Sequence, residues 1–281
     1  MRALILTPGA NYPDPWAWAY DVEARALAAA GLAVTPCPWD AVGDVAGFDL
    51  ILPLVAWGYD QRPAEWHALL DRAEAAHWPM VNPPALLRWN SDKAYLAQLA
   101  AAGIATVPSH AVAALCEADL AEARTRFDCE TLVVKPPVSA SAVGTHRLAP
   151  GDPIPAAVAG RAMLIQPFLA SIATRGELSL MLFGGVFSHA VVKRPKAGDF
   201  RVQPHLGGTE TPVAPPEGAI DLAKAALAAA PAPATYARVD LIPADDGTLQ
   251  IIELELIEPA LWLNHAPDQG AAFAAAIKAA A

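Results

Sequence analysis

Apolar positions along this chain follow two periods, one of about two residues and one of about three and a half. Arg2–Thr7 is a short apolar run that stops at Pro8-Gly9, the pattern of a buried strand. Asp14-Pro15 opens, as a cap followed by proline, a helix predicted through Ala30 and ended by Gly31. Leu32–Val34 and Asp49–Val55 are predicted as further buried strands, Pro63–His77 as a helix, and Pro79–Val81 as a short strand before Asn82-Pro83-Pro84. Strands and helices that alternate in this way imply βαβ units.

The pattern changes at Ser91, which is predicted to cap a helix over Asp92–Ala102 closed by Gly103. A helix over Glu117–Phe127 then leads into strand Thr131–Lys135 and a run of small residues, Ser139–Gly144. Strands dominate beyond it: Ala162–Gln166, Glu177–Phe183 and Val186–Arg194, the last two joined by a Gly184-Gly185 hairpin. A helix over Ile220–Ala230, strand Tyr236–Ile242, an Asp245-Asp246-Gly247 turn, strand Leu249–Glu255 and an alanine-rich helix complete the reading. The class is α/β, with an α+β second half.

Composition narrows the function. The chain has 281 residues, 54% of them hydrophobic, yet no apolar stretch approaches the ~20 residues that span a bilayer. The first apolar run is too short for a signal peptide, so a cytoplasmic protein with no membrane partner is expected. Nineteen basic against 29 acidic residues give a net charge of -10, which argues against a nucleic-acid partner. The three cysteines lack metal-ligand or disulfide spacing. Neither GxGxxG after the first strand nor GxxxxGK[ST] occurs, so any nucleotide is held another way.

Three clusters carry candidate chemistry. Glu253 and Glu255, two apart on a strand, share one face, and a hairpin turn can set Asp240 opposite them. Three such carboxylates repel unless a cation sits among them, and Mg²⁺ suits them. Removing one of the three without metal is then expected to stabilise the fold slightly. A solvated strand face paired with Arg238 is the plainer reading, but the alternating leucines and isoleucines show that one face is buried.

Lys135 ends an apolar strand beside the small-residue loop, which suits an anionic phosphate chain as well as it suits a snorkelling lysine. Lys93, near a predicted helix start, sits mildly against the helix dipole, a cost that a bound phosphate would offset. Lys193-Arg194-Pro195-Lys196 with Arg201 suggests an anion site or a charged sheet edge. Lys193 and Arg194 face opposite sides of their strand, so one of them at most enters a given cleft.

Together, in this order, the segments resemble the ATP-grasp carboxylate–amine ligases, near glutathione synthetase and D-alanine–D-alanine ligase. Asn82-Pro83-Pro84 through Lys93 resembles the opening of the ATP-binding lobe. Val134-Lys135-Pro136 resembles the second nucleotide lysine, with Ser139 and Ser141 on the flap over the phosphates. Gln166, Phe168 and Leu169 lie in a segment similar to the adenine hinge, and Glu177 stands where the family places its ribose acid. Arg238-Val239-Asp240 matches an Arg-x-Asp motif, and Glu253-x-Glu255 stands where the family has Glu-x-Asn. Glu255 therefore departs from the family's neutral residue, and Glu258 adds a further acid. Several of these motifs are most similar to the subgroup of the D-cycloserine cyclo-ligase.

The resemblance implies an ATP-grasp fold with an N-terminal βαβ lobe over 1–88 and two α+β lobes, 89–165 and 166–281, that clamp ATP. It implies that Lys93, Lys135 and Lys193 hold phosphates, that Asp240, Glu253 and Glu255 hold two Mg²⁺ or Mn²⁺, and that Arg194 or Lys193, with Arg201 and Arg238, meets the reacting groups. The partner would be a small amino-acid-like carboxylate activated as an acyl phosphate, with the attacking amine on the same or a second molecule. A homodimer is the commonest assembly for such a chain. The rival reading is an ATP-binding regulatory protein without turnover, against which the complete carboxylate and arginine set speaks.

Overall fold

A computed structural model describes residues 1–281. The N-terminal part contains β1 (Arg2–Thr7), α1 (Ala17–Ala29), β2 (Ala33–Pro38), β3 (Leu50–Leu52), α2 (Pro63–Ala75) and α3 (Pro84–Asn90). Its parallel sheet has the order β2-β1-β3. The middle contains α4 (Tyr95–Ala101), β4 (His110–Val112), α5 (Glu117–Phe127), β5 (Leu132–Lys135), β6 (His146–Leu148) and β7 (Met163–Pro167), with antiparallel order β4-β7-β5-β6. The C-terminal part contains α6 (Ser171–Thr174), β8 (Glu177–Phe183), β9 (Val186–Arg194), β10 (Thr209–Pro212), α7 (Ala219–Ala228), β11 (Tyr236–Pro243), β12 (Leu249–Glu255) and α8 (Ala271–Ala279). Its antiparallel sheet runs β10-β9-β8-β11-β12. No helix is long and apolar enough to cross a membrane.

Four local expectations are corrected. The first helix starts at Ala17 rather than Pro15, because the Pro15 carbonyl is taken by the Trp18 indole N–H at 3.1 Å. The strand after it, β2, is an edge strand with mostly exposed or half-buried residues. Pro36 and Pro38 lack the N–H that a central strand would need. Pro79–Val81 makes only an isolated bridge, Ile51 with Met80. Ser91 caps nothing: its hydroxyl donates back to the Leu87 carbonyl at 2.8 Å, and Asp92 instead receives the Ala94 N–H at 2.8 Å. The preceding helix α3 and the short strands β4, β6 and β10 were not expected.

The C-terminal sheet positions the site through the two-residue period of its strands. One face carries Leu178, Leu180, Leu182, Val239, Leu241 and Leu254 into a core shared with α4 and α7. The opposite face carries Met181, Phe183, Val191 and Tyr236 against α1 and α8 at one end, and the polar residues of the cavity at the other.

The free edge of β12 is covered by polar side chains from the α3–α4 region, as an edge strand requires. Asn90 donates to the Leu254 carbonyl at 2.8 Å and accepts the Leu256 N–H at 2.9 Å. The Tyr95 hydroxyl accepts the Leu254 N–H at 2.8 Å. Asn82, fully buried in a left-handed conformation (φ 54°), reaches across to the base of β11. It donates to the Tyr236 and Leu256 carbonyls at 2.9 and 2.7 Å and accepts the Thr235 N–H at 2.7 Å. Replacement by alanine orphans three buried backbone groups and places a Cβ without compensating polarity at positive φ. Asn82→Ala is expected to cost roughly 3 kcal/mol in urea unfolding; a loss below about 1 kcal/mol would show that these bonds are dispensable.

Candidate active site

The three parts of the chain enclose one cavity of about 1030 Å³. Asp240 lies opposite Glu253 across the β11–β12 ladder, and Arg238 lies opposite Glu255. Carboxylate oxygens of Asp240, Glu253 and Glu255 all lie within 4.8 Å of one another. The expected juxtaposition of the three acids is therefore present, and it is embedded in cations. Lys93, Lys135, Lys193 and Arg238 are each no more than 7% exposed.

Three of the four cations have a carboxylate counterpart. Lys93 Nζ lies 3.2 Å from Glu253 and donates to the Ser139 carbonyl at 2.6 Å. Lys193 bridges Glu177 and Asp240, the latter at 3.1 Å. Gly176, at φ +74°, permits this approach, since a Cβ there would collide with the Lys193 carbonyl. Arg238 binds Asp240 at 2.9 Å and also pairs with Glu255. Ser179, on the same face as Glu177, donates to Asp240 at 2.5 Å. Lys135 has no carboxylate within ion-pair range and ends its strand facing the cavity.

These contacts set the charge states. Burial pushes Asp240 up, but Arg238 and Lys193 outweigh it and hold the carboxyl below the usual range. Burial likewise opposes ionisation of Glu253, and Lys93 and Lys135 reverse it, so its pKa is lowered. Burial with the like charges of Asp240 and Glu253 raises Glu255 to about 8, against the pull of Arg238. Burial lowers Lys135 to about 8, helped by Lys93. Burial also works against the charge of Lys193, yet Asp240 and Glu177 raise it. The set of hard oxygen donors fits a divalent cation, whose charge would favour the ionised form of Glu255.

Other candidates line the same cavity. Ser139 and Ser141 sit on the loop after β5, with Ser141 and Ala142 in left-handed conformations. That loop closes against the N-terminal part, where Asp60 accepts the Ala140 N–H at 3.3 Å. The loop Trp57-Gly58-Tyr59-Asp60 lines the cavity from that part. Gln166 is buried with its amide on Ser109 at 2.9 Å, and Phe168 and Leu169 continue the wall. Arg201 lines the cavity from the β9–β10 loop, paired with Asp199 at 2.8 Å.

Arg194 alone among the candidates stands apart. It is exposed on the outer face of β9, and Lys193 takes the inward position. The two-residue period settles that the pair splits; only the packed sheet settles which member faces in. Lys93 also differs from expectation, lying before α4 rather than inside a helix start.

Trp262 was not visible in the sequence. Its backbone is left-handed (φ 43°), and its ring covers Arg238 at 5.1 Å and Lys193 at 5.9 Å. The His189 ring bonds the Leu261 and Trp262 carbonyls at 3.0 and 3.1 Å, fixing that loop. Nothing in the local pattern of an irregular segment marks such a position. Ser179 alternates with Glu177 on β8, and that two-residue spacing is the local signal that marks it.

Known proteins share both the sequence pattern and the architecture. Residues 5–82 match the family described as the N-terminal domain of D-cycloserine synthetase DcsG. The cycloserine biosynthesis protein DcsG of Streptomyces lavendulae is 32% identical over 268 residues, covering 88% of each chain. The crystal structure of D-cycloserine synthetase DcsG superposes over the full length of both chains with a TM-score of 0.83 and 27% identity. D-alanine–D-alanine ligase from Bacillus anthracis, complexed with ATP, shares the fold at a TM-score of 0.71 and 16% identity, over 100% of this chain and 97% of the other. With a relative of this similarity along most of its length, and with the fold expected from its motifs, the chain belongs to the ATP-grasp ligases, ATP-dependent enzymes that form C–N bonds.

Proposed function

We propose that this ligase activates a small amino-acid-like carboxylate as an acyl phosphate, which an amine of the same molecule attacks to close a ring. The observation that carries the reading is the meeting of Asp240, Glu253 and Glu255 with four buried cations on one wall of a cavity large enough for a nucleotide and a small substrate. Likeness to D-cycloserine synthetase over the full length supports ring closure over the joining of two molecules.

In this reading the segments 1–88, 89–165 and 166–281 act as a substrate lobe and two lobes that clamp ATP. Gln166, Phe168 and Leu169 border the adenine, with Glu177 at the ribose. Lys93 and Lys135 hold the phosphates under the Ser139–Ser141 flap, and Lys193 stands beside the transferring group. Asp240, Glu253 and Glu255 would hold two Mg²⁺, which would supply positive charge to offset that of the phosphates. Arg238 orients the acyl group, and Arg201, on its loop, donates to charge developing on the tetrahedral carbon's oxygen. The protein's contribution is position and electrostatics rather than covalent attachment.

The test is ADP release with ATP and Mg²⁺, measured across small amino-acid-type carboxylates. Release that depends on one of them is expected. Tight nucleotide binding with no carboxylate stimulating release would replace the ligase reading with a pure ATP binder.

A further inference from the structure

Between β12 and α8 the chain holds a tryptophan in a conformation that its side chain does not favour. Trp262 is left-handed at φ 43° and ψ 45°, where glycine sits without strain and a bulky residue is an outlier. Its surroundings explain how the backbone is kept there. Leu261 and Leu263 on either side are each 2% exposed, in the core with Val191, Tyr236 and Phe273. The Trp262 carbonyl accepts the His265 N–H at 2.8 Å and also faces His189 Nε2, which lies near the Leu261 carbonyl as well. Because both partners of that nitrogen are carbonyls, Nε2 carries the proton and donates, which leaves Nδ1 to the Ser188 hydroxyl at 3.0 Å.

These anchors account for the backbone but not for the ring. A ring that only filled the core would be covered as Leu261 and Leu263 are, whereas Trp262 is half-buried and lines the cavity. What the ring meets is charge. Both the Arg238 guanidinium and the Lys193 ammonium lie within cation–π reach of its centroid. The same two cations converge on one carboxylate, Asp240, and they repel each other. Each also has a second acid towards which it can turn, Glu177 for Lys193 and Glu255 for Arg238. Asp240 alone therefore leaves two long side chains a choice of partners, and a ring face across both restricts it.

We propose that Trp262 is a positioning residue whose ring face holds the Arg238 guanidinium and the Lys193 ammonium together over Asp240, aimed at the reacting groups. This rests on the reading in which Lys193 stands beside the transferring phosphoryl group and Arg238 orients the acyl group, and it adds what keeps them in place. Trp262 acts through the two cations, and its strained backbone is the cost of presenting a ring where glycine would be easiest to accommodate.

Cation–π attraction depends on the electron density of the ring, whereas packing depends on its size. Fluorine is little larger than hydrogen and withdraws that density, so site-specific replacement of Trp262 by mono-, di- and trifluorotryptophan separates the two. Two quantities are read on the full chain: equilibrium affinity for MgATP, which needs no turnover, and kcat for carboxylate-dependent ADP release. Both are expected to fall stepwise along the series, by about tenfold in all. Trp262→Tyr should stay within about threefold of the native protein, and Trp262→Leu should lose about tenfold. Circular dichroism of each protein is the check on folding. Affinity and kcat that stay level across the fluorinated series would overturn the assignment and leave Trp262 a packing residue. If no carboxylate stimulates ADP release while MgATP affinity still falls with fluorination, the acyl-phosphate reading fails and the hold of Trp262 on the two cations stands.

Discussion

Glu253→Gln is expected to lose Mg²⁺-dependent turnover by about 10³-fold or more, because the Mg²⁺ that these carboxylates would hold supplies several kcal/mol of charge stabilisation in the transition state. The same variant separates two views of stability. Three like charges considered alone predict that removing one relieves repulsion. The packed site reverses the sign: Glu253 lies 3.2 Å from Lys93, and Lys93 with Lys135 holds its pKa down. Two buried lysines lose their counter-charge in the variant, while the carboxylate's partial exposure limits the effect. Without metal, Glu253→Gln should therefore melt lower, by about 1–2 kcal/mol. Near-normal Mg²⁺-dependent activity would make the carboxylate cluster structural.

Arg238 carries the second large effect. It is 6% exposed, packed under Trp262, and shared between Asp240 and Glu255. Arg238→Ala leaves Glu255 without its ion-pair partner and Asp240 with Lys193 alone, and should cost about 3–5 kcal/mol of stability, seen as a lower urea midpoint. Arg238→Lys separates folding from chemistry. Its ammonium restores the charge but not the two-pronged guanidinium that binds Asp240 and Glu255 together. The lysine variant should recover most of the stability yet turn over about 10²–10³-fold more slowly than the native enzyme. A lysine variant with native turnover would place Arg238 in the scaffold and remove it from the reacting groups.

The strands of the C-terminal sheet were readable because their alternation is regular. Glu177–Phe183, Val186–Arg194 and Leu249–Glu255 appear with the expected bounds; the period put Glu253 and Glu255 on one face, and the hairpin turn sets Asp240 opposite Glu253. Positions whose role depends on distant backbone were not readable. Asn82 looks like a turn residue before two prolines, and its partners lie more than 150 residues away on β11 and after β12. Ser91 has the composition of a cap, yet the chain around it is still helical and its hydroxyl turns back to Leu87. Glu23 is one of two acids on an alanine-rich helix, and only packing shows that it points inward. Trp262 depends on a left-handed backbone held by His189 from another strand. Charge clusters and strand periods are local quantities, whereas ion-pair partners and the inward face of a helix are set by the assembled fold.

The central claim is that a substrate carboxylate oxygen attacks the γ-phosphorus of ATP. With substrate carrying ¹⁸O in its carboxylate, mass spectrometry of the released inorganic phosphate should find one label per turnover, alongside an amide product. Phosphate labelled only from solvent water would mean plain ATP hydrolysis and would contradict the acyl-phosphate mechanism.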